Sequence, residues 1–119
     1  MTPFGAKLRR LRAERRLQLK DMAAGLGISA AYLSALEHGH RGRPSSGLVQ
    51  QISAYFNLAW DDVDELKRLA ELSHPRIVVD TAGLSPKATE LANRLAESIG
   101  DLSEATIDRL LAAIEGEGR

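Results

Sequence analysis

The sequence predicts an all-α fold, with five helices in residues 1–73 and two more in residues 74–119, and with residues 76–80 as its one strand candidate. Three observations predict it. Apolar residues recur at every third or fourth position, the spacing that gathers them on one face of a helix. Ser or Thr precedes most of these runs, and Gly follows several, as helix starts and stops require. Only Ile77-Val78-Val79 forms a run of the β-branched residues that strands favour.

Thr2 caps the first helix, and Pro3 suits its opening turn. Phe4, Leu8 and Leu11 form its inner face, while Arg9, Arg10, Arg12, Arg15 and Arg16 take the other faces. The second helix runs from about Leu19 to Leu26, burying Leu19, Met22, Ala23 and Leu26. Gly27 ends it, because a tight reversal needs a residue that tolerates positive φ. Ser29 caps the third helix, which reaches Glu37 or His38 and turns Leu33 and Leu36 inward. A loop to Pro44 follows, and Ser45 or Ser46 caps a fourth helix with Leu48, Ile52 and Phe56 inside. Trp60 is expected to close one end of the core. Asp61–Leu72 forms the fifth helix around Val63, Leu66 and Leu69, its early carboxylates facing the positive end of the helix dipole.

His74-Pro75 breaks the pattern and divides residues 1–73 from 74–119. Ser85-Pro86 opens a sixth helix that Gly100 stops. Ser103 caps a seventh, which Gly116 is expected to end. Leu91, Leu95, Ile99, Ile107, Leu110, Leu111 and Ile114 make stripes wider than a two-helix hairpin buries by itself. Each such side chain gains roughly 1.5–3 kcal/mol on burial, so the set calls for another surface. A homodimer built from residues 76–115 is expected. The 76–80 run either pairs with its own copy across the dimer or lies on the core as an extended linker.

Composition bounds the function. The chain has 119 residues, 44% of them hydrophobic, with 16 basic groups, 16 acidic groups and no cysteine. Such a composition folds, and it supports no disulfide framework or thiolate metal site. No run approaches the roughly 18 apolar residues of a membrane span, and a cytoplasmic location is expected. The zero net charge argues against a nucleic-acid partner only until it is resolved by position. Residues 1–46 hold nine basic and three acidic groups, a balance of +6, and the remainder carries −6. That split suggests a half that faces a polyanion. No Ser/His/Asp set, paired carboxylates or phosphate-cradling Gly loop stands out, so no enzyme, cofactor or metal is expected.

The second and third helices meet at Gly27 across three residues, the sequence form of a helix-turn-helix. The surrounding pattern is specific: Leu8-x-x-Leu11-Arg12, Met22-Ala23, Gly27-Ile28-Ser29, Tyr32-Leu33-Ser34-x-Leu36-Glu37-x-Gly39 and Pro44-Ser45. Over residues 4–72 it resembles the phage-repressor-like (Xre, Cro/CI-type) regulators. The resemblance implies a five-helix domain that binds double-stranded DNA as a dimer on a roughly two-fold operator. It places Ala30, Ala31, Ser34 and Ala35 towards base edges, with Ser29 and Tyr32 at the margin. It places His38, His40, Arg41 and Arg43 on the DNA backbone.

Two departures qualify that resemblance. The usual Ser cap and phosphate-holding Gln at the start of the second helix are Gln18 and Leu19 here, so Gln18, Lys20 or a backbone amide takes the phosphate. Three base-facing places are alanine, which offers a thymine methyl contact but no hydrogen bond. Specificity then has three open sources: Ser34, Tyr32 and ordered water; DNA shape; or Arg41-Gly42-Arg43 in a narrow groove. Glu37 is expected to tie the third helix to its neighbours. The function implied is a transcriptional repressor. The alternative is an antitoxin whose acidic C-terminal half neutralises a basic toxin while the first half binds its own promoter.

Overall fold

Helix ends organise the first half of the chain. In the computed structural model, which describes residues 1–40 and 43–117, Thr2 caps α1 (Pro3–Glu14) by accepting the Gly5 N–H at 3.1 Å. Then come α2 (Leu19–Leu26), α3 (Ala30–His38), α4 (Ser46–Tyr55) and α5 (Trp60–Glu71). Ser29 caps α3 through the Tyr32 N–H at 3.0 Å, and Ser45, not Ser46, caps α4 through the Leu48 N–H at 3.2 Å. The starts of α2 and α5, at Gln18 and Ala59, have no side-chain cap bond.

Four of these helices stop in the same way. Arg16, Gly27, Gly39 and Asn57 adopt positive φ, and the next residue's N–H returns to a carbonyl in the last turn. The bonds run from Leu17 to Arg12, Ile28 to Ala23, His40 to Ala35 and Leu58 to Ser53, at 2.9–3.1 Å. This satisfies carbonyls the helix end would otherwise orphan. It also turns Leu17, Ile28 and Leu58 back against the core. A short turn therefore both reverses the chain and contributes an apolar side chain.

Phe4, Leu8, Met22, Leu33, Ile52, Phe56 and Leu66 are enclosed, so all five helices contribute to one core. Ser73 closes it. Its hydroxyl accepts the Phe4 N–H at 2.9 Å and donates to the Leu69 carbonyl, joining the first turn of α1 to the end of α5. Lys7 and Glu65 add an ion pair between the same helices at 3.5 Å.

Three expectations are corrected. Trp60 is 89% exposed and does not close the core. It opens α5 itself, six residues before Leu66, and so stands about 120° round the helix from that buried position. Residues 76–80 form no strand, and among the described residues there is none for them to pair with. Val78 is accordingly 95% exposed. Gly116 lies inside the last helix, because glycine stops a helix only where the chain must turn.

The chain divides into two units, Met1–Ile77 and Val78–Arg119. The second holds α6 (Pro86–Ser98), capped by Ser85, a 3₁₀ turn (Ile99–Asp101) and α7 (Glu104–Glu117). Neither α6 nor α7 contains a buried residue. No described helix is long and apolar enough to cross a membrane.

Two glycines in helices should respond oppositely to alanine. A methyl at Gly5 would run into the carbonyl oxygens of Leu36 and Glu37, whereas one at Gly47 meets nothing within 4 Å. Gly5→Ala is expected to destabilise the chain by about 2 kcal/mol through overpacking, and Gly47→Ala to stabilise it by about 0.5 kcal/mol. Urea denaturation of both variants checks the contrast.

Candidate nucleic-acid interface

The α3 helix is held from behind by α1 and α2, against both of which it packs. At Gly5 the backbone of α1 meets the last turn of α3 with no room for a side chain. About two turns further on, Arg12 grips Glu37. Its Nε donates to Oε2 and its Nη2 to Oε1, both at 3.0 Å, while Nη1 donates to the Leu17 carbonyl at 3.2 Å. Glu37 is 1% exposed, so a carboxylate removed from water has each oxygen paired. One guanidinium thus joins α1, α3 and the turn leading to α2.

The pair also raises the Arg12 pKa above its ordinary value. The hydrogen bond to Glu37 is the main cause; desolvation opposes it, and the carboxylate's charge adds to it. A raised pKa gives stability that is present below the ordinary arginine value and lost only as pH rises through the folded one. The guanidinium therefore contributes no pH dependence at working pH.

With its inner side fixed, α3 turns Ser29, Ala30 and Ala31 to solvent, and Ser34 and Ala35 are half-buried beside them. Tyr32 packs partly against the core. His38 is exposed as the last helical residue, and its ring returns to the helix with Nδ1 2.8 Å from the Ser34 carbonyl. The His40 ring lies 6.1 Å away. Gln18, Lys20, His40 and Arg43 are exposed. Arg41 lies outside the described residues. Arg43, Ser45 and Lys67 border an open cavity of about 520 Å³ at the start of α4.

The arginine stripe of α1 divides by task. Arg12 serves Glu37. Arg15 donates to the Phe56 carbonyl at 2.8 Å, its guanidinium 5.2 Å from the Phe56 ring centre, and so fastens the end of α1 to the end of α4. Arg9, Arg10 and Arg16 are exposed. Sequence reasoning placed Glu37 correctly as a tie but did not find its partner, or Arg15's role. The available signal was phase: Glu37 shares the inward side of α3 with Leu33 and Leu36, where a carboxylate needs a cation.

In the second unit, α6 and α7 flank an apolar groove of about 500 Å³ whose walls include Leu91, Leu95, Leu102, Leu110 and Ile114. Of the other residues expected at a dimer contact, Ile99 and Leu111 are more than half exposed and Ile107 is half-buried. No cluster of three or more metal-ligating side chains occurs among the described residues.

Removing Arg12 alone should cost more than removing the whole pair. Arg12→Met is expected to lose about 3 kcal/mol, because the Glu37 charge stays buried, Glu37→Met to lose less, because Arg12 is partly exposed, and the double variant to recover much of the Arg12→Met loss. A double-mutant cycle by urea denaturation checks it.

Comparison with known proteins agrees with this geometry. The model of a family described as "Helix-turn-helix domain" matches residues 3–75. The uncharacterized HTH-type transcriptional regulator RghRB of Bacillus subtilis is 35% identical over 63 residues, covering 53% of this chain and 45% of that protein. The HTH-type transcriptional repressor RghR of the same organism is 34% identical over 61 residues, 51% of this chain and 45% of its own. The uncharacterized HTH-type transcriptional regulator Mb0023 of Mycobacterium bovis is 33% identical over 128 aligned positions, covering 95% of this chain and 50% of its own. The chain thus spans about half the length of these curated relatives. By the match over α1–α5, it belongs to the helix-turn-helix domain family.

Proposed function

We propose that the chain is a DNA-binding transcriptional regulator, a repressor acting as a homodimer on a roughly palindromic operator. The observation that carries this is the division of α3 into two sides. Its inner side is locked by Gly5, Arg12 and the core, and its outer side is solvent-facing and built of small residues. A helix so held can lie deep in a major groove without yielding. Around it, Lys20, His40, Arg43 and the exposed arginines of α1 supply cationic and hydrogen-bonding groups for phosphates. Ser29, Ala30, Ala31, Tyr32, Ser34 and Ala35 are the base-side set, and Gln18 and His38 complete the backbone set. The repressor reading is supported by the likeness to RghR, an HTH-type transcriptional repressor.

The homodimer reading rests on the second unit, whose groove has an apolar lining and whose helices bury nothing themselves. A second copy seated there would cover Leu91, Leu95, Leu110 and Ile114. On a two-fold operator each α3 of such a dimer would take one half-site, the two lying about 34 Å apart. Exposed apolar surface of this extent calls for a partner. A small basic protein that copurifies on the groove would replace the homodimer with the antitoxin reading.

Sequences selected from genomic fragments by the purified chain are expected to show two-fold symmetry. Lys20→Ala and Arg43→Ala should each weaken binding on all duplexes and lower the salt slope by about one, as the loss of one phosphate contact does. Leu95→Glu with Leu110→Glu should give a monomer by sedimentation, with weaker operator binding and unchanged unfolding of the first unit. A double variant that stays dimeric would place the dimer contact elsewhere.

A further inference from the structure

Between its cap and its last residue, the solvent side of α3 carries three alanines and one polar pair, Ser34 and His38. His38 Nδ1 lies 2.8 Å from the Ser34 carbonyl oxygen and 3.4 Å from the Ser34 hydroxyl. A carbonyl oxygen holds no proton, so Nδ1 carries the hydrogen and donates it, which fixes the neutral tautomer. The other ring nitrogen, Nε2, then accepts when the ring is neutral and donates when it is protonated. The Ser34 hydroxyl faces an Nδ1 that already holds a hydrogen, so it can only accept there. Its own hydrogen is left for an outside acceptor.

The pair therefore offers one donor and one acceptor when neutral, and two donors when protonated. In the major groove adenine offers the N7 acceptor and the N6 amino donor, whereas guanine offers two acceptors, N7 and O6. We propose that Ser34 and His38 together form the base-reading unit of α3, which moves His38 from the backbone set to the base side, selecting adenine when its ring is neutral and guanine when it is protonated. This rests on the reading that α3 enters the major groove. The flanking alanines let the helix approach closely enough for two short side chains to reach a base edge.

Charged groups lie on the elements packed against α3. Glu37, the adjacent carboxylate, points inward and is occupied by Arg12. From the α1 side, the Met1 backbone lies against Gly39, bringing the terminal amino group to this end of α3. On α2, Lys20 and Asp21 are exposed in the first turn. The His40 ring lies 6.1 Å away.

The test is in vitro selection from a randomised duplex library with the full chain at about pH 6 and about pH 8, either side of the ordinary imidazole value. Affinities for the resulting duplexes follow by fluorescence anisotropy. At one position of each half-site, wild type is expected to favour adenine at the higher pH and guanine at the lower, the ratio of affinities moving roughly tenfold. His38→Gln, which keeps a donor and an acceptor at both pH values, should favour adenine at both. His38→Ala should lose the preference there while keeping its circular dichroism, and His40→Gln should keep the switch while binding all duplexes more weakly. A wild type with the same preferences at both pH values, or a His38→Ala variant with the wild-type preferences, overturns the assignment. If no sequence is enriched at all, the DNA-binding reading falls, and this inference falls with it.

Discussion

A buried carboxylate cannot be left alone, and the first unit is arranged around that requirement at Glu37. Nearly all of the side chain is out of water, and both oxygens are held by the fork of Arg12. Only a guanidinium reaching from α1 can match that geometry with two parallel bonds. The bonds are possible because α1 lies directly against α3, and it lies there because residue 5 is glycine. The third donor of Arg12, spent on the Leu17 carbonyl, fixes the turn that launches α2. The angle between α2 and α3 then follows from Gly27, whose left-handed backbone makes the short reversal. The outer side of α3 is thus a consequence of what its inner side must satisfy.

Much of this was legible in the residues. Helix starts were readable wherever Thr or Ser offered an oxygen to the backbone, as at Thr2, Ser29 and Ser85. A helix stop was readable at Gly27. The same stop at Arg16 and Asn57 was not, because nothing local requires those residues to take positive φ; packing of Leu17 and Leu58 on the core imposes it. The Arg12–Glu37 and Arg15–Phe56 ties span 25 and 41 residues, a range no periodicity reports. Trp60 was misplaced because hydrophobicity suggests burial, whereas its phase on α5 dictates exposure. Ile77-Val78-Val79 has the composition of a strand, but composition supplies no partner edge. The return of His38 onto Ser34 was missed because a helix ending at residue 37 or 38 leaves its place undecided.

The charge split takes on physical detail. Of the basic groups in the first half, Lys7, Arg12 and Arg15 are spent within the fold, on Glu65, Glu37 and the Phe56 carbonyl. Those that stay exposed lie on the first unit, and the second unit is acidic, with the apolar groove between its helices. On the proposed reading, the acidic half weakens attraction to arbitrary DNA while the basic half provides a footprint. Affinity would then depend more on what α3 meets in the groove.

On the proposed reading, the outer side of α3, held by the Arg12–Glu37 clamp, is where nucleic acid meets this chain. The decisive measurement is amide chemical-shift mapping by NMR, titrating the labelled chain with a duplex it has itself selected. The largest perturbations are expected on Ser29–Ala35, His38, Gln18–Lys20 and Arg43–Ser45, with Glu37 and Arg12 still paired. Perturbations concentrated on α6 and α7, with α3 unmoved, would contradict it.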